Sequence, residues 1–171
     1  MFSQNTVTPT SGAQWIGYVN AFSVSDGEFQ FGEVYPVENM KSTITSTSVE
    51  LQPNFEIWEN RSNVDYWFDD TSSTQTPLVF IEGNTYVENN NYAGSDLTFI
   101  GNVSQTDLDA GYTAVAFVKA LDPENNYATV VNNSVDITST GDFSVSATAA
   151  ELAEGYVIQY GFTVTGPLAD P

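Results

Sequence analysis

The residues that could do chemistry in this chain are its acids. Asp and Glu number 22 against three Lys or Arg, and there is neither His nor Cys. Without His or Cys there is no Ser-His-Asp triad, no Cys nucleophile and no zinc held by nitrogen or sulfur. No GxxxxGK[ST] run and no strand-linked GxGxxG occurs, so a phosphate-cradling loop has no support. Schiff-base chemistry would rest on Lys41 or Lys119, and Lys119 reads better as a strand residue at a sheet end or bulge. Paired carboxylates remain, since two acids about 5 to 9 Å apart across a cleft can hydrolyse a glycoside. Glu56, Glu59, Asp69 and Asp70 are the candidates, but so acidic a surface brings such pairs together by chance. The chain is therefore read as non-enzymatic.

Calcium is a better use of acids in a His-free chain, because it takes carboxylate and carbonyl oxygens. Asp107-Leu-Asp109-Ala-Gly111 begins like a calcium loop but lacks the third ligand and the bidentate Glu. Asp69-Asp70-Thr71-Ser72 and the run from Asp122 to Asn126 are further oxygen clusters. Asp107, Asp109 and Asp122 are the metal candidates, and the plainer reading of each is a turn-forming acid with no ion. A second constellation suits sugar: Trp58, Tyr66 and Trp67 supply rings for a sugar's C–H face, while Asn60, Arg61, Asp69 and Asp70 supply hydroxyl partners. Core packing competes as an account of the same rings, because Trp and Phe are also strong strand residues.

The elements that must position these residues are strands. Leu97 to Val103 and Thr113 to Leu121 have strand composition and form the expected centre. In the second, Val115, Phe117 and Leu121 share one face and Ala114, Ala116, Val118 and Ala120 the other, the mark of a strand buried on both sides. Alternation from Trp15 to Val24, then Ser25-Asp26-Gly27, then Phe29 and Phe31, predicts a hairpin. Leu78 to Glu82 and Thr85 to Glu88 flank Gly83-Asn84, a second hairpin signal. Lys41 to Ser48 reads as an edge strand, and residues 55–70 as a long loop. Tyr127 to Val131, Val135 to Thr138, Phe143 to Ala147 and Tyr156 to Thr165 complete the set, with one weak helical candidate at Ala149 to Glu154. About ten short strands with turn signals every 8 to 12 residues predict an all-β fold, a single antiparallel β-sandwich of jelly-roll type. Residues 1–13 are polar and read as a flexible N-terminal arm, with the sandwich over 14–171.

A chain of 171 residues with a net charge of −19 is large enough for one core without a metal or disulfide staple. Nucleic acid is not an expected partner, because phosphate contacts need clustered Lys and Arg. Nowhere do about 18 apolar residues run together, so membrane insertion is not expected either. The first dozen residues carry no signal-peptide pattern. If Met1 is the natural start, the expectation is a chain made and kept in a cytoplasm; if not, a bacterial exported protein fits equally.

Three segments carry a resemblance: Trp15-Ile-Gly-Tyr-Val-Asn-Ala-Phe22, Tyr112-Thr-Ala-Val-Ala-Phe-Val-Lys119, and Gln159-Tyr-Gly-Phe162 with Gly166-Pro167. Together they resemble a poorly characterised β-sandwich domain of marine and soil bacterial surface or secreted proteins, with similar segments in marine phage structural proteins. The resemblance implies a shared fold, not a shared active site. Two expectations follow. The first is a non-enzymatic virion surface protein, a capsid decoration or fibre component that contacts other capsid proteins or its own copies. The alternative is an extracellular or cell-surface carbohydrate-binding module that grips polysaccharide through Trp58, Tyr66 and Trp67, with calcium as the one cofactor considered.

Overall fold

A computed structural model describes residues 4–10, 12–53, 64–69 and 76–168. Thirteen strands are described: β1 Gln4–Val7, β2 Trp15–Ser23, β3 Phe29–Tyr35, β4 Thr43–Ile44, β5 Val49–Glu50, β6 Phe68–Asp69, β7 Thr76–Pro77, β8 Val79–Glu88, β9 Asp96–Val103, β10 Thr113–Asp122, β11 Ala128–Asp136, β12 Gly141–Ala147 and β13 Val157–Pro167. Six form one antiparallel sheet in the order β11-β10-β13-β8-β2-β3, and three form a second in the order β1-β9-β12. β4 with β5, and β6 with β7, are two-residue ladders. The expected all-β sandwich is the architecture observed.

The core occupies one face of the large sheet and has two halves. In one, Leu97 and Phe99 of β9 and Val145 and Ala147 of β12 pack on Ala116, Val118, Ala120, Ile158, Tyr160 and Phe162. The small residues of β10 face inward because rings fill the space opposite: Phe99 lies 5.3 Å from Tyr160 and 5.2 Å from Phe162, and Phe143 lies 5.7 Å from Phe162. In the other half Val19, Ala21, Val79 and Ile81 are covered by Met40, Trp67 and Phe68, from the 3₁₀ turn Val37–Met40, the helical turn Val64–Trp67 and the strand after it, and by Leu168 just past β13.

Several expectations change. β9 and β10 are not neighbours in one sheet; they face each other from the two layers, and β13 and β8 hold the middle of the large sheet. Gly83-Asn84 is not a hairpin tip but lies inside one ten-residue strand, paired on both sides with β2 and β13. Residues 4–7 of the expected arm run parallel to β9, Gln4 opposite Asp96 and Val7 opposite Phe99, because Val7 packs on the core. Ala149 to Glu151 make turns and no helix. The Ser25-Asp26-Gly27 turn stands as read, with Gly27 at φ 74°.

Candidate functional site

Strand register assigns the far side of the large sheet. Opposite the core, β10 presents Thr113, Val115, Phe117 and Lys119; β13 presents Gln159, Gly161, Thr163 and Thr165; and β8 presents Glu82, Asn84, Tyr86 and Glu88. β2 adds Ile16, Tyr18, Asn20 and Phe22, and β11 adds Asn132, Ser134 and Asp136. An outward face would be wet along its whole length if it served only solubility. Here its middle is buried: Phe117 is 1% exposed, Asn84 5%, and Tyr86, Gln159 and Thr163 are each 8%.

That burial is tolerated because the polar atoms bond one another. Asn84 is the hub. Its Oδ1 accepts from Thr163 Oγ1 at 2.7 Å and from Lys119 Nζ at 3.4 Å. Its Nδ2 donates to the carbonyl oxygens of Tyr18 and Glu82, at 3.3 Å each. Around it, Asn20 Nδ2 donates to Glu82 Oε2 at 3.3 Å and Gln159 Nε2 to Glu88 Oε2 at 3.2 Å. Lys119 lies along the sheet with Nζ 4.0 Å from the centre of the Phe117 ring, a cation–π contact that holds the side chain down. Burial lowers the Lys119 pKa, and the charge of Glu82 works against that shift. Burial, then the charge of Glu88, raises Tyr86 to about 12. A bulge sits beside Lys119, between Ala120 and Leu121, as expected for that residue, though it stands well inside the sheet.

Between β8, β10, β11 and β13 the face sinks into a concavity of about 160 Å³ lined by Glu82, Val115, Lys119, Asn132, Ser134, Thr163 and Thr165. A second recess, between Met40, Leu51, Thr85 and Tyr112, holds about 10 Å³, room for roughly one water. Beyond the concavity the same face ends in an aromatic corner. Phe22 stacks on Phe80 at 5.0 Å and meets Phe29 edge-on at 5.7 Å. Phe29 is 58% exposed on the edge strand β3, with Val24 and Leu78 also exposed at that end and joined by a bond from Val24 N to Leu78 O at 2.9 Å.

The residues expected to act are distributed differently. Trp58, Asn60, Arg61 and Asp70, with Glu56 and Glu59, lie outside the described residues. Trp67 is 6% exposed in the core, its ring 5.8 Å from Phe31, which takes it away from solvent. Tyr66 is exposed and meets Trp67 edge-on, and Asp69 is half-buried in β6. Asp107 accepts from Gln105 Nε2 at 2.8 Å, and the Asp109 carbonyl accepts from Tyr112 N at 3.2 Å. Asp122 caps the 3₁₀ turn Pro123–Asn125 by accepting from Glu124 N at 2.9 Å. Asp122 thus has a turn role, Asp107 a bond to its neighbour Gln105 and Asp109 a bond through its carbonyl alone, and among the described residues no three acids converge on a point that could hold a metal ion. No helix among them is long and apolar enough to cross a membrane. The Asn84–Lys119 face escaped the sequence reading, although an Asn and a Lys inside otherwise apolar strand patterns were its visible trace.

Comparison with protein-family models, with curated proteins and with solved structures returns no match.

Proposed function

We propose that this protein is a non-enzymatic structural component that works by protein–protein contact, placed at the surface of a virion as a capsid decoration or fibre element. The observation that carries the contact is the aromatic corner. Exposed apolar residues scattered singly mean little, but contiguous ones mark interaction surfaces. Phe29, Val24 and Leu78 stand exposed around the stacked Phe22 and Phe80, and Phe29 belongs to β3, which has no further neighbour among the described residues. An edge strand with bare rings is a template for association.

Charge selects the partner. Asp26, Glu28 and Glu33 are exposed close by along the hairpin, and the whole chain carries −19, so a partner with an apolar centre and a basic rim fits the corner better than a second copy does. The virion itself rests on the resemblance of Trp15–Phe22, Tyr112–Lys119 and Gln159–Phe162 to segments of phage structural proteins. Mass spectrometry of purified particles, with size-exclusion chromatography of the isolated chain, tests the reading. The expected result is a chain that co-purifies with particles and is lost from them in the Phe29→Asp variant. A chain that is never found with particles would overturn it.

A further inference from the structure

The concavity at Lys119 is independent of the aromatic corner and has its own chemistry. Its parts are already fixed. The amide of Asn84 spends both lone pairs and both N–H groups on Thr163, Lys119, Tyr18 and Glu82, so it cannot turn over without losing bonds. It holds Thr163 and Lys119 in place but has nothing left for a ligand. Other groups do. An ammonium has three N–H donors, and Lys119 uses one, at 3.4 Å, on Asn84. The side chains of Thr165, Ser134 and Asn132 line the same hollow and make no hydrogen bond among the described residues. Val115 adds methyl groups to the wall.

We infer that this concavity is a binding site for one ring of a neutral polysaccharide, with Lys119 and Asn132 donating to sugar hydroxyls, Glu82 accepting from them, and Val115 meeting the C–H face. The mixture of donors and acceptors is what a pyranose presents. One cation and one carboxylate line the hollow, so the lining asks for no net charge in the ligand. The −19 of the whole molecule repels a polyanion on approach. A volume of about 160 Å³ is smaller than the roughly 300–1,000 Å³ of sites for drug-sized ligands, which suits a single ring of a chain that continues along the open sheet face. Lys119 and Thr163, already held by Asn84, need little further ordering when the ring arrives. This assigns sugar recognition to the sheet and not to the residues between Trp58 and Asp70 that the sequence suggested.

Titration of the full chain with cellohexaose, laminarihexaose, mannohexaose and xylohexaose, followed by amide NMR shifts and calorimetry, tests the inference, with oligogalacturonate as the acidic control. Expected is binding of at least one neutral oligosaccharide, with shifts at Lys119, Ser134 and Asn132. Lys119→Met should weaken it about tenfold, the effect of losing one hydrogen bond to a charged group. Because Lys119 is half-buried, the double variant Asn132→Ala and Ser134→Ala, both exposed positions, gives a second reading that leaves the packing intact and should also weaken binding. Phe29→Asp should leave the titration unchanged. No binding of any neutral probe at roughly 10 mM, binding of the acidic probe alone, or binding that both concavity variants leave untouched would each overturn the site.

Discussion

Lys119 holds an ammonium over an aromatic ring, among buried amides and hydroxyls, in a chain with only two other basic side chains. Burial costs the charged form, so its folded pKa lies below the ordinary value of 10.5. Between the folded and unfolded pKa the unfolded chain binds more protons, and stability therefore rises with pH as the cost of burying the charge is lifted. Lys119→Met removes that cost at neutral pH while keeping the stem, so the variant should melt no lower than the parent and should lose the alkaline gain. A clear fall in Tm at pH 7 would mean that the ammonium stabilises the fold. Tyr86 has the opposite sign. With its pKa raised from 10.0 to about 12, the folded chain keeps a proton that the unfolded chain releases, and stability falls as pH climbs through that window. Tyr160 is shifted the same way by burial. Tyr86→Phe should flatten part of the loss between pH 10 and 12 in a series of thermal melts, and an unchanged slope would exclude Tyr86 as a source.

At the scale of the element, β13 shows how the outward face became a second packed surface. Gly161 faces Phe117 on one side and Tyr86 on the other, and a Cβ there would stand 2.5 Å from Tyr86 Cα. The missing side chain lets the β8 backbone at Thr85 and Tyr86 close up against β13. Gly161→Val should cost about 1–3 kcal/mol by overpacking, read as a lower urea midpoint with an unchanged slope; a wild-type midpoint would show that β8 can move aside. The same element explains what could be read in advance. Alternation revealed β2, β3, β10 and β13, and turn residues placed the Ser25–Gly27 hairpin, because one buried face imposes a period of two. Gly83-Asn84 looked like a turn because Gly and Asn are turn formers. Their actual reasons are tertiary: Met40 packs where a Gly83 side chain would stand, and Asn84 serves a network whose partners lie 35 and 79 residues away. Trp67 likewise could be read as a loop ring or a core ring, and only its place beside Phe31 decides. Facing layers, unlike neighbouring strands, leave no local signal, so nothing in the two segments shows that β9 and β10 belong to different sheets.

For the whole molecule the governing quantity is the charge of −19. Acids spread over so small a body repel one another, and the compact state brings them closer than the unfolded chain does. Salt shortens the reach of that repulsion to about 10 Å at 0.1 M. The isolated chain should therefore melt higher as sodium chloride is raised, by several degrees if the relief reaches a kcal/mol or two, since each is worth roughly 2–4 °C at this size. The proposed contact through the aromatic corner should respond in the opposite sense. Its acidic neighbours Asp26 and Glu28 attract a basic rim, and salt screens attraction as well as repulsion, mostly by slowing association. A protein that grows more stable with salt while its particle occupancy falls separates fold electrostatics from docking electrostatics in one titration. If occupancy instead rose with salt, the apolar rings alone would be driving the contact and a basic rim on the partner would no longer be needed.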